Sequence, residues 1–285
     1  MAIKSGVDPD VMATLRSRIR SIEKNSDGLN ASNSKASAIS LSPALDEALA
    51  RSSGAPAGLV QGALHEIIGS PGANGAAGGF AAALLSLMSR SEEAGGQGVV
   101  LWCHRHHDAD EKGELYAPGL AAFGLAPAQL LVVQARRDQD ILWALEEGVK
   151  SSALVAVLGE VDDPGFTASR RLQLAAEING VTVLLVRSAG QQALTTSAAI
   201  TRWKVEAAGE TRWHLELLRC RGGTPGSWAV EWRDGRLCDR AGQASPADHI
   251  AADRIPADHI PADYITVAAD LRQRSRKPSQ ARLAV

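Results

Sequence analysis

The sequence predicts an α/β fold: a mostly parallel sheet with helices on both faces, extended at one edge by an antiparallel meander. Three observations carry this. From about residue 64 to residue 186, apolar strand-like runs alternate with amphipathic helical segments, the pattern of a parallel sheet covered on both sides. A cluster of glycines (Gly69, Gly72, Gly75, Gly78 and Gly79) separates the first such run from the first long helix. Beyond Arg187 the alternation stops, and three strand-like segments follow one another with short connections.

Taken in order, residues 8–23 have the pattern of an amphipathic helix. Asp8 can cap it, Pro9 suits its first turn, and Val11, Met12, Leu15, Ile19 and Ile22 share one face. Arg16, Arg18, Arg20 and Lys24 take other positions, so a face docked on its own domain competes with one that binds DNA or a partner. Residues 25–40, rich in Ser, Asn and Ala, read as a linker. Residues 1–40 are therefore set apart from a core domain at 41–235.

Within the core, Leu64 to Ile68 reads as a strand, and Phe80, Ala83, Leu84, Leu87 and Met88 give the next helix a buried stripe. Strands follow at 98–104, 130–134, 153–158 and 181–186. Between them, residues 138–149 form a helix with Ile141, Leu142, Leu145 and Val149 on one side. Thr167 is read as the cap of a further helix carrying Leu172, Ala175 and Ile178, with Gly180 closing it. The meander strands are placed at 202–207, 212–220 and 228–233.

From Arg236 the sequence suggests little fixed structure. Residues 246–265 repeat the units Pro-Ala-Asp-His-Ile, Ala-Ala-Asp-Arg-Ile, Pro-Ala-Asp-His-Ile and Pro-Ala-Asp-Tyr-Ile. A period of five fits neither helix nor strand, and proline disfavours a continuous helix. Residues 236–285 therefore read as a disordered tether ending in a basic tail, with Arg272, Arg274, Arg276, Lys277 and Arg282.

Composition narrows the class. Apolar residues make up 45% of the 285, enough for a large core, and the net charge of -2 gives no global attraction to nucleic acid. Three scattered cysteines form no C-x-x-C pair, which points to a reduced, cytoplasmic protein. The start of the chain lacks a signal-peptide pattern, and no apolar run approaches the ~20 residues that span a bilayer.

The glycine-rich turn lies where a phosphate-binding loop would be expected, between strand and helix. Such a loop needs a lysine for the β- and γ-phosphates and a hydroxyl for magnesium. Here Ala76 and Ala77 follow Gly75, and the spacing from Gly69 to Gly75 is one residue too long. The competing reading is a glycine-rich turn with no ligand.

The stretch from about Leu41 to Trp232, roughly two-thirds of the chain, resembles the ImuA family of RecA-like proteins. The resemblance rests on Leu64-His-Glu-Ile67, on Leu115-Tyr-Ala-Pro-Gly-Leu-Ala-Ala-Phe-Gly-Leu125, on Leu142-Trp-Ala-Leu-Glu-Glu147 and on Arg219-Cys-Arg-Gly-Gly-Thr-Pro-Gly-Ser-Trp228. It implies a RecA-like P-loop NTPase fold. It also implies work in SOS-induced translesion synthesis with ImuB, an error-prone C-family DNA polymerase and, as a third candidate, RecA. DNA contact would be indirect or weak, and the protein would join the nucleoid on DNA damage.

Against RecA itself, Gly159 stands where strand four ends in a magnesium-holding aspartate, and Glu160 follows one step on, on the opposite face by alternation. Missing lysine, hydroxyl and acid imply no hydrolysis, while a helix N-terminus leaves room for weak ATP binding and no obligate cofactor. Arg219 and Arg221 fall where RecA reaches the nucleotide of a neighbouring subunit; they share one face if the strand runs through both. A plain surface pair is the alternative. Residues 188–200, at the place of RecA's main DNA-binding loop, contain no lysine or arginine.

Cys103, His104, His106, His107, Asp108 and Asp110 are metal-ligand types, but the resemblance includes no metal there and none is expected. Trp143, Trp228 and Trp232 are candidates for partner docking, against a packing role. Two rivals stay open: a DNA-dependent ATPase of the RecA type, and a SulA-like inhibitor of cell division.

Overall fold

The computed structural model describes residues 37–50, 57–69, 74–91, 96, 98–106, 115–187, 196–240 and 265–268. The helix expected at 8–23, most of the linker, the repeats up to residue 264 and the basic tail lie outside them.

The strands are β1 (Ala38–Ile39), β2 (Leu59–Val60), β3 (Leu64–Gly69), β4 (Val99–Arg105), β5 (Leu130–Ala135), β6 (Leu154–Glu160), β7 (Thr182–Arg187), β8 (Thr201–Gly209), β9 (Arg212–Cys220), β10 (Gly226–Arg233), β11 (Arg236–Asp239) and β12 (Ile265–Ala268). The α-helices are α1 (Pro43–Leu49), α2 (Asn74–Ser89), α3 (Ala117–Ala122), α4 (Asp138–Val149) and α5 (Gly165–Asn179). The pair β1–β2 stands apart; the other ten strands form one sheet in the order β11-β10-β9-β8-β3-β7-β6-β4-β5-β12. Strands β8, β3, β7, β6, β4, β5 and β12 are parallel, and β8 to β11 form an antiparallel meander.

Two cores explain the layers. On one face Ala77, Phe80, Leu84, Leu85 and Met88 of α2 pack with Ile67, Trp102, Leu158, Trp203, Trp213 and Trp232. On the other face α4 and α5, through Ile141, Leu145, Val149, Leu172 and Ala176, cover Leu101, Val157, Val183 and Leu185. Central strands are therefore apolar on both sides, as a doubly covered parallel sheet requires.

Three expectations are corrected. Helix α5 begins at Gly165, and Pro164 rather than Thr167 occupies the cap position, without a side-chain hydrogen bond. Its other end is as read: Gly180 takes φ +73°, and its N–H donates to the Ala176 carbonyl. The glycine-rich turn is shorter than expected, since Gly75, Gly78 and Gly79 belong to α2.

Third, residues 236–239 form β11, not the start of an unstructured tail. Arg233 pairs with Arg236, leaving the two-residue turn Asp234-Gly235 with φ of 50° and 73°. Positive φ at both central residues is what a tight hairpin needs, and Asp-Gly is its strongest short-range sequence signal. Leu237 then buries in the α2-side core. Strand β12 adds to β5 at the opposite edge, with Ile265 beside Leu131.

Candidate functional site

Strand β3 sits between β7 and β8, and the chain leaves it through α2 to reach β4, beyond both β7 and β6. Such a reversal of strand order opens a crevice at the carboxyl ends of parallel strands, where α/β sheets bind ligands. Gly69 ends β3 at this edge; Gly72 lies outside the described residues.

Gly75, Ala76 and Ala77 occupy the first turn of α2. A side chain at Gly75 would meet nothing within 4 Å, whereas one at Gly79 would meet Trp213 at 3.4 Å and Phe123 at 3.5 Å. Glycine at 79 thus serves packing, and glycine at 75 faces open space. Ala77 is fully buried, and Ala76 packs part-buried against the same core. Neither alanine supplies charge or hydroxyl to an anion.

The end of β6 resolves the question of the acid. A Cβ at Gly159 would lie 2.6 Å from Leu145 Cδ1 and 3.0 Å from Ile141 Cγ2, so this position faces α4 with no room for a side chain. Glu160, on the α2 side, accepts a hydrogen bond from Trp102 Nε1 at 2.7 Å. Alternation put these residues on opposite faces; the structure puts the acid on the face of the glycine-rich helix.

Beside this edge, charges cross-link the strand ends. Arg105 of β4 pairs with Asp162 at 2.6 Å and Asp138 at 3.2 Å. Arg187 of β7 donates to the Asp162 carbonyl at 3.1 Å and pairs with Asp163 at 3.3 Å. Deeper in, Glu66 of β3 is fully buried; Arg202 Nε donates to it at 2.7 Å and Arg187 lies 3.6 Å away. Burying these charges is tolerable only because each meets an opposite charge.

Arg219 stands opposite Arg202 in the β8–β9 register, where like charges would repel. Each guanidinium has its own acceptors: Arg202 donates to Glu66 and to Ser197 Oγ, and Arg219 donates to the Ser197 carbonyl at 2.8 Å. Strand β9 ends at Cys220, so it does not run through Arg221, whose exposed side chain belongs to the following turn. The condition for Arg219 and Arg221 to share a strand face is not met.

Trp232 is only 6% exposed, against Phe123 at 6.0 Å and under the Arg90 guanidinium at 5.7 Å. It is a core residue, a correction to its reading as a docking candidate. Trp228, part-buried, packs 6.4 Å from Trp203, and Trp143 packs part-buried on α4. Cys103 is buried, which pushes its thiol far above the usual range, and Arg105 beside it is engaged by carboxylates. His107, Asp108 and Asp110 lie outside the described residues, among which no three His, Cys, Asp or Glu side chains gather as metal ligands. No described helix is long and apolar enough to cross a membrane.

Missed by the sequence reading were Glu66 and its arginines. The signal was present: Glu66 interrupts an otherwise apolar run on a strand that must be buried on both faces.

Fold and site together define an α/β protein with a glycine-rich strand-to-helix crossover at the switch point of a large, mostly parallel sheet. Protein ImuA of Caulobacter vibrioides, in strains NA1000 / CB15N and ATCC 19089 / CIP 103742 / CB 15, is 33% identical over 193 residues, covering 61% of this chain and 76% of each relative. The chain belongs to the ImuA family. No protein-family model matches it.

Proposed function

We propose that this chain is a non-catalytic, RecA-like accessory protein of the ImuA/ImuB mutagenesis system, bridging ImuB and an error-prone C-family polymerase during damage-induced translesion synthesis. Family membership supports the setting. Support for the RecA-like reading comes from the sheet order, with β3 at its switch point and a meander continuing from β8.

The observation that carries the non-catalytic part is the first turn of α2. Ala76 and Ala77 stand where a nucleotide site needs a lysine and a hydroxyl, and Ala77 points into the core. Purified protein should therefore turn over no ATP. Hydrolysis that co-purifies with the chain and disappears in Glu160→Gln would overturn this. Bridging is tested by co-purification: the chain should retain ImuB and the polymerase together, and failure to retain either would end that reading.

One observation favours residual nucleotide binding. A side chain at Gly75, in the first turn of α2 where a helix start favours an anion, would meet nothing within 4 Å. Contact with RecA is proposed through the exposed Arg221, with Arg219 positioned by Ser197. Arg221→Ala should weaken binding to an ATP-bound RecA filament without changing the melting temperature. Unchanged binding would remove Arg221 from the interface.

A further inference from the structure

Helix α5 carries three large apolar side chains on its outer surface: Phe166 is 54% exposed, Leu174 40% and Ile178 79%. With Arg170 they fall at i, i+4, i+8 and i+12, one inclined ridge of the kind that packs into the groove of another helix. The inner face of α5 is already occupied, through Leu172 and Ala176, by the sheet. Among the described residues nothing covers the outer ridge.

The position of the chain's first described residue points to the occupant. The N–H of Gln61 donates to the Ser37 carbonyl at 2.8 Å. The next residue, Gly62, lies against the C-terminal end of α5: a Cβ there would be 3.1 Å from Gly180 Cα and 3.3 Å from the Ala176 carbonyl. Residues 1–36 therefore lead into the core beside the end of α5 that carries Ile178. Their one strongly patterned stretch is 8–23, with Val11, Met12, Leu15, Ile19 and Ile22 on one helical face.

Dimensions agree. At about 1.5 Å per residue, Val11 to Ile22 would extend roughly 16 Å, and Phe166 to Ile178 spans roughly 18 Å. The residues between Lys24 and Ser37, taken as a flexible chain, would bridge about 20 Å, enough to lay the helix back along α5.

We propose that residues 8–23 form an amphipathic helix that docks, within the same chain, on the Phe166–Leu174–Ile178 ridge of α5. Two faces that are each costly to leave in water then cover one another. By helical spacing Arg20 falls opposite the apolar face, and Arg16 and Arg18 fall at its borders. The docked helix becomes the outermost layer on the α4–α5 side and gives that side a basic surface.

The test is amide hydrogen exchange on the full chain, with Leu174→Asp/Ile178→Asp as the variant. Both side chains are exposed, so the substitution leaves the core intact, and an unchanged melting profile of β-strand signals verifies that. In the wild type, amides of residues 9–22 should exchange at least tenfold more slowly than an unstructured chain. The variant should abolish this protection, as should Leu15→Asp/Ile19→Asp. A Leu15→Cys/Leu174→Cys protein, oxidised at low concentration, should cross-link as a monomer. Absence of protection in the wild type, or protection unchanged by the α5 variant, would overturn the proposal. So would protection that grows with protein concentration and cross-links that join two chains, which would make a second copy the occupant.

Discussion

Asp239, the last residue of β11, accepts a hydrogen bond from Ser42 Oγ at 2.6 Å and another from the Ala44 N–H at 3.0 Å. The acid thus caps α1 from 197 positions further along the chain, while Ser42 at the cap position makes no side-chain cap of its own. The start and the end of the core domain are tied at this point. A carboxylate at a helix start satisfies orphan N–H groups and complements the helix dipole.

Chains ending at Arg240 and at Gly235 should consequently behave differently. The longer one keeps β11, Leu237 and the Asp239 cap; the shorter one loses all three. Loss of a buried leucine costs about 2–5 kcal/mol and loss of a cap about 1 kcal/mol. Thermal denaturation should place the Gly235 chain well below the Arg240 chain, and Asp239→Ala between them. Equal melting temperatures would show that β11 adds nothing to the fold.

Glu66 is fully buried between Arg202, at 2.7 Å, and Arg187, at 3.6 Å. Removing one member of a buried ion pair strands the other, at a cost of about 3–5 kcal/mol. Glu66→Ala should lose stability on that scale in urea denaturation. Glu66→Gln with Arg202→Met should cost less than the two single changes added together, because the partners interact directly. Additive losses would mean that the two side chains do not sense each other.

Gly159→Asp places an acid at the position that strand-end magnesium ligands suggest, yet its Cβ would collide with Leu145 and Ile141 of α4. Overpacking of this kind costs about 1–3 kcal/mol, and burying an unpaired carboxylate adds to that. The variant should be destabilised and gain no ATP hydrolysis. Normal stability would mean that α4 moves away freely from β6.

Cys103 is buried on β4, and Cys220 and Cys238 are part-buried. In native protein a thiol reagent should modify the latter two and reach Cys103 only on unfolding. The sign of the pH effect follows from the same burial. Above the ordinary thiol value of 9.0 the unfolded chain loses the Cys103 proton, while the folded chain keeps it. Stability therefore falls as pH rises, by about 1.4 kcal/mol per unit for this group. Wild type minus Cys103→Ala, measured by denaturation at pH 7 and pH 10, should show that decline; a constant difference would exclude it.

Patterns set by neighbours along the chain were legible before any coordinates. The helix at 138–149, the strand at 212–220 and the closing role of Gly180 follow from local periodicity and backbone chemistry. Membership of the ImuA family was legible too, in motifs that stay contiguous in sequence. Even β11 was announced by Asp234-Gly235, though the repeats further on drew the reading toward an unstructured tail.

What only the tertiary structure decided are relationships between residues far apart in the chain. Glu66 finds Arg202 across 136 positions, and Asp239 finds Ser42 across 197. Gly159 is small because α4 lies against it, and Glu160, one step along the strand, finds its hydrogen-bond donor in Trp102, 58 positions away. Trp232 is core because Phe123 and Arg90 enclose it. Local sequence sets which faces of a strand or helix are apolar. Which partner each face meets depends on sheet order and layer packing, and those come from burying all the faces at once.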